Sequence, residues 1–127
     1  MMKKYNKIVG NTGEDIASKY LIDNKYKIIE RNFVAGKGEI DIIAQKKKTL
    51  VFVEVKTRQN DDFGTPADAI DYKKKKKIIE TASRYIYEKN PKTDFRFDVI
   101  EVYGVFTGDC FELEKIEHIE DAFGVDY

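Results

Sequence analysis

Cysteine occurs once in this chain, and no apolar run approaches the roughly 18 residues that a membrane span requires. The single thiol, Cys110, excludes an internal disulfide and any zinc site built from several cysteines, and it suits a reducing compartment. Metal chemistry in such a chain falls to oxygen ligands. The opening "MMKKYNKIVGNTGED" has no apolar core that could act as a signal peptide, so a cytoplasmic protein without membrane contact is expected. Internal repeats are absent, and nothing in the 127 residues requires a linker or second domain. Residues 1–127 are expected to form one domain.

What is present is globular in character: 42% hydrophobic and 13% aromatic residues, with the 36% charged residues interspersed among them. The net charge of zero conceals an asymmetry. Residues 1–108 carry 22 Lys/Arg against 16 Asp/Glu, whereas residues 109–127 carry one lysine against seven acids. A basic body is compatible with a polyanionic partner, although charge alone does not distinguish that from an ordinary solvated surface.

The segment "NTGEDIASKYLIDNKY" offers Asn11 and Thr12 as caps, acids in its first turn, and Ile16, Ala17, Tyr20 and Leu21 at helical spacing. Glu14 falls on that apolar stripe, where an acid needs a reason. Three strands are expected next: "YKIIERNF", "EIDIIA" after the Gly36-Lys37-Gly38 turn, and "LVFVEVKT" after the polar turn "QKKKT". The Gly-x-Gly lacks a third glycine and precedes a strand, which excludes a dinucleotide-binding loop. Thr65 as N-cap, Pro66 at the first helical position and Asp68 closing a capping box predict a second helix over residues 66–88. Its inward positions are Ala67, Ile70, Ile78, Ala82 and Tyr85, and Lys74 shares that stripe. "FRFDVIEVY" and "CFELEKI" read as further strands, with a short end at "EHIEDAF" that has some helical character. The order α-β-β-β-α-β-β predicts an α/β fold with a mixed sheet flanked by helices.

The stretch "GEIDIIAQKKKTLVFVEVKTR" places charge where its neighbours require apolar contacts. On the third strand Glu54 and Lys56 project from the face of Leu50 and Phe52, while Val51, Val53 and Val55 fill the other. Strand apolar on both faces is central strand, and charge at its end needs a partner or a metal. If the two strands form a hairpin in which Ala44 opposes Val51, counting along it sets Asp41 against Glu54 and Glu39 against Lys56. Opposed carboxylates repel unless a proton or cation lies between them, and a hard divalent ion, Mg²⁺ or Mn²⁺, suits oxygen ligands. An ion-pair ladder of Glu39 with Lys56 on a solvated face is the simpler alternative, but it leaves Asp41, Glu54 and the inward Glu14 unexplained.

"GEDIASKYL", "RNF", "GEIDIIA", "VFVEVKTR", "GTPADAI", "KKKKIIETASRYI" and "RFDVI" together resemble the YraN-like family of bacterial proteins over nearly the whole chain. That family is similar in turn to the restriction-endonuclease-like superfamily, which includes archaeal Holliday-junction resolvases and carries an Asp followed by Glu-x-Lys on a central hairpin. The resemblance implies a restriction-endonuclease-like core, with Asp41 and Glu54 as metal ligands, Lys56 as catalytic lysine and Glu14 as an acid supplied by the first helix. Here Ile40 stands where proline often precedes the first acid. The implied activity is Mg²⁺- or Mn²⁺-dependent hydrolysis of nucleic acid, with DNA, branched DNA included, the expected substrate; resemblance to resolvases is also compatible with a homodimer.

Arg58, Lys74 and Lys77 are candidates for contacts to the phosphate backbone. Thr57 offers a hydroxyl but is explained by strand propensity. A nucleic-acid-binding module that kept the fold without turnover would bind independently of metal, and an interaction protein would use the acidic tail on its own basic body or on a partner. Cys110 and His118 as a nucleophile pair lack an orienting third residue, and His118 reads better as a surface or capping residue.

Overall fold

The computed structural model describes residues 2–59 and 71–124, with side chains from Thr12 onward. Helix α1 (Met2–Asp23) is followed by β1 (Lys27–Ala35), β2 (Gly38–Lys46) and β3 (Thr49–Gln59), then α2 (Tyr72–Lys89), β4 (Asp94–Thr107) and β5 (Cys110–Phe123). The strands lie in sequence order in one five-stranded sheet. Neighbours pair antiparallel except β3 and β4, which are parallel and joined through α2. The fold is thus α/β with a mixed sheet, in the element order that the sequence predicts.

Strand alternation divides the core between the two sheet faces. Ala17, Leu21 and Tyr26 pack with Ile42, Ala44, Val51, Val53, Ile100 and Val102 on the α1 face. Ile78, Ala82 and Tyr85 pack with Ile40, Ile43, Leu50, Phe52 and Phe97 on the α2 face. Both faces of β3 are therefore covered, which is why "LVFV" is apolar at every position. No helix among the described residues is long and apolar enough to cross a membrane.

Three boundaries differ from those read in the sequence. Asn11 and Thr12 lie inside α1, not at its cap. That helix ends without glycine: Lys25 is left-handed (φ 70°) and Tyr26 N donates to Leu21 O at 2.9 Å, the six-residue closure of a Schellman motif. The second helix begins at Tyr72, because Asp71 is extended (φ −83°, ψ 174°) and its side chain caps Lys74 N. Thr65, Pro66, Ala67, Asp68 and Ile70 lie outside the described residues. Finally, β5 absorbs "EHIEDAF" instead of ending before it, since β4 is long enough to pair with it and Phe123 stacks on Phe97 at a centroid distance of 5.0 Å.

Candidate metal site and nucleic-acid cleft

Glu54 follows Leu50 and Phe52 onto the α2 face at the point where β3 runs out of apolar cover, and only 6% of it is exposed. The β2–β3 ladder pairs Ala44 with Val51, as the sequence predicts, but it stops at Ile42 and Val53. Asp41 does not continue it as an opposed strand residue; its Oδ2 accepts from Val55 N at 2.8 Å, so a side chain replaces the next main-chain acceptor. This wedge holds the carboxyl between the splaying strands, where the charge of Glu54 acts on it. Burial first, and then the Glu54 charge, push the Asp41 carboxyl up to about 7, while the Val55 N–H partly offsets them.

Two ammoniums face this pair. Lys74 Nζ of α2 lies 2.6 Å from Glu54 Oε1 and Lys56 Nζ lies 3.7 Å from the same oxygen. Burial and the neighbouring Lys74 lower the Lys56 pKa. Burial would lower Lys74 too, but its bond to Glu54 prevails and raises it. The Asp71 cap, 2.8 Å from Lys74 N, fixes the helix end from which Lys74 reaches down. Gly38 lets that helix approach closely: a Cβ there would strike the Thr81 hydroxyl and crowd the Lys77 carbonyl.

Glu14 supplies an acid from α1 beside the site, whereas Glu39 sits differently from the sequence expectation. Glu14 is partly buried against β1, 3.6 Å from Arg31 Nη2. With the Asn32 amide oriented so that both of its ends are satisfied, its nitrogen donates to Glu14 Oε1 at 3.0 Å and to Glu39 Oε1 at 2.9 Å. Burial raises the Glu14 pKa, which Arg31 and Asn32 oppose. Its charge acts on Asp41, yet it does not join Asp41 and Glu54 as a third ligand, because the one group of three metal-binding side chains within 4.8 Å among the described residues lies elsewhere. Glu39 pairs along the backbone with Val34 of β1, not with Lys56, whose ion pair is with Glu54. The ladder of Glu39 with Lys56 is thereby corrected: the strands have already parted at that level.

Asn32, Lys37 and Lys73 carry no signal that marks them in the sequence. Asn32 is left-handed (φ 55°) within β1, a conformation that asparagine tolerates, but no glycine marks it. A cleft of about 480 Å³ opens over Asp41 and Glu54, lined also by Lys37, Gly38, Lys73, Lys74 and Lys77. Lys77 and Lys74 thus share it with two lysines that sequence reading passed over. Arg58 is instead tied down: its Nε donates to the fully buried Glu101 at 3.1 Å. Thr57 abuts Gly13, where a Cβ would collide with its hydroxyl, so it seats α1 on β3.

The group elsewhere is Asp98, His118 and Glu120. His118 is not a surface or capping residue but is partly buried between Tyr20 Oη (3.0 Å) and Asp98 Oδ2 (2.7 Å). Asp98 also accepts from Arg96 Nε at 3.0 Å and Asp121 N at 2.9 Å, and Arg96 Nη2 reaches Glu120 at 3.1 Å. Burial alone would raise the Asp98 carboxyl, but the bonds from His118, Arg96 and Asp121 hold it low. A guanidinium already neutralises these acids, which makes the cluster a clasp between α1, β4 and β5. Cys110 is exposed at the start of β5, eight positions from His118 and about 26 Å away by strand rise, so the two form no nucleophile pair.

Asp41 and Glu54 fit a hard divalent cation. They are oxygen donors lining one cleft, and a cationic nitrogen already sits on one of them. Comparison with known proteins agrees with the sequence resemblance. Residues 13–102 match the model of "Uncharacterised protein family UPF0102". A UPF0102 protein of Clostridium beijerinckii is 46% identical over 123 residues, 96% of this chain and 98% of that protein. One from Caldanaerobacter subterraneus subsp. tengcongensis is 49% identical over 124 residues, 96% of this chain and all of that protein. One from Clostridioides difficile is 48% identical over 120 residues, 93% of this chain and 98% of that protein.

Proposed function

The chain belongs to the uncharacterised protein family UPF0102, and on that premise we propose that it is a Mg²⁺- or Mn²⁺-dependent phosphodiesterase acting on nucleic acid, with a restriction-endonuclease-like site. The observation that carries this reading is that Asp41 and Glu54 line one cleft with Lys37, Lys73, Lys74 and Lys77, Glu39 and Asp71 lying at its sides. An acid whose charged form is strongly disfavoured, beside a buried acid in a cleft, is characteristic of functional sites, and lysines around them suit a polyanion.

Asp41 and Glu54 would hold the divalent ion, which would supply a Lewis acid for a phosphodiester oxygen and make a nearby water more acidic. Val55 N–H fixes Asp41 so that the donor set is formed before substrate arrives. Lys56, on a rigid central strand and on the same face as Glu54, orients the attacking water and offsets charge developing on phosphorus. Its lowered pKa eases passing a proton. Glu14, held by Arg31 and Asn32, acts on the site through Asp41 and not as a ligand. The lysines of the cleft bind backbone phosphates without reading sequence, while Arg58 is held by Glu101 and takes no part in that wall.

The test is purified protein with Mn²⁺ against a panel of branched, single-stranded and duplex DNA and RNA, with Asp41→Ala as control. Cleavage of at least one substrate that is lost in Asp41→Ala supports the reading. Metal-independent binding with no cleavage of any substrate overturns it in favour of a binding module of the same fold.

A further inference from the structure

We propose that Lys74 is a built-in stand-in for the metal ion, occupying Glu54 until a divalent cation displaces it into the lysine-lined cleft. This rests on the metal-site reading above and adds a competitor to it. Lys74 Nζ is 2.6 Å from Glu54 Oε1, about where a cation bound to that oxygen must sit, whereas Lys56 stands off at 3.7 Å. An ion coordinated at the roughly 2.0–2.1 Å that Mg²⁺ requires leaves no room for an ammonium on the same side of the oxygen. One cation must yield.

The two lysines differ in their ability to do so. Lys56 stands on the central strand with 22% of its side chain exposed, walled by β4 on one side. Lys74 comes from the first turn of α2, and 43% of its side chain is exposed. Its backbone cannot follow the metal, since Asp71 holds Lys74 N and the helix is seated on Gly38 through Thr81. Exchange is therefore confined to the lysine side chain, which moves toward Lys37, Lys73 and Lys77 on the cleft wall.

In this arrangement Lys74 keeps the apo site from holding uncompensated buried charge and joins the phosphate-binding wall only once metal has arrived. Metal loading and engagement of the polyanion are then linked through one side chain, and such linkage is reciprocal. Lys77 lines the same cleft, whereas the ion pairs of Glu54 are with Lys56 and Lys74, so Lys77 supplies the control for simple loss of positive charge.

The experiment is calorimetric titration of Mn²⁺ into wild type, Lys74→Gln, Lys74→Arg, Lys77→Gln and Asp41→Ala, with circular dichroism on each. Lys74→Gln should bind Mn²⁺ about tenfold more tightly than wild type, a coupling within the ordinary allosteric range. Lys74→Arg, which keeps a cation on Glu54, should bind no better than wild type, and Lys77→Gln should change affinity less than Lys74→Gln. Binding by Lys74→Gln where wild type binds too weakly to measure also supports the inference. Equal affinities in Lys74→Gln and Lys77→Gln overturn it while leaving the metal site intact. Equal affinities in wild type and Asp41→Ala, or no binding by any protein, overturn the metal site and the inference together.

Discussion

Replacing Asp41 by asparagine should make the metal-free protein more stable at pH 8. The carboxyl titrates at about 7 in the folded chain, against an ordinary value of 3.8, first because it is buried and then because Glu54 is beside it. Between those two pH values the folded state binds more protons than the unfolded state, so stability falls as pH rises and levels off above about 7. A difference of this size corresponds to at most about 4 kcal/mol. Asparagine removes the charge while its Oδ1 still accepts from Val55 N. The buried amide has a desolvation cost of its own, so the net gain at pH 8 should be on the order of 1–3 kcal/mol. Urea unfolding in EDTA at pH 8 and pH 4 measures this: the two proteins should differ at pH 8 and converge at pH 4, where the wild-type carboxyl is neutral when folded. An Asp41→Asn protein less stable than wild type at pH 8, or a difference that does not change with pH, would refute the reasoning.

Changing Lys37, Lys73 and Lys77 together to glutamine should weaken nucleic-acid binding and flatten its salt dependence, the slope falling by about one for each phosphate that is no longer neutralised. Lys75 and Lys76, which face a groove toward Phe123, should matter less when changed in the same way, and fluorescence anisotropy over a salt series distinguishes the two variants. Gly38→Ala should destabilise the fold by about 1–3 kcal/mol by driving a methyl into Thr81, and adding Thr81→Ala should recover part of that loss in urea unfolding.

How far the sequence reveals this site depends on the kind of interaction. Alternation along "LVFVEVK" was enough to put Glu54 and Lys56 on the face of Phe52, because the pleat repeats every two residues and both faces of β3 are buried. Counting also brings Asp41 near Glu54, but its hydrogen bond from Val55 N is not legible, since counting a register assumes that backbone bonds continue, and here a side chain takes over from them. The same parting of the strands removes Glu39 from Lys56 and gives it to Asn32, a residue whose left-handed backbone no glycine announces. Helical periodicity placed Lys74 on the inward face of α2, but only the packing of that helix over β3 puts its ammonium on Glu54. His118 was misjudged because its burial comes from contacts with Tyr20 and Asp98, 98 and 20 positions away.

The most direct test of the account is Mn²⁺ affinity and single-turnover cleavage measured on the same preparations of wild type, Glu54→Ala and Lys56→Ala, using the best substrate from the nucleic-acid panel. Lys56 carries donors and no lone pair as an ammonium, so its loss should leave Mn²⁺ binding intact or stronger while slowing cleavage by about a hundredfold or more. Glu54→Ala should lose both. Cleavage by a folded Lys56→Ala at the wild-type rate, or undiminished Mn²⁺ binding by Glu54→Ala, would contradict the assignment of these residues to a metal-dependent nuclease site.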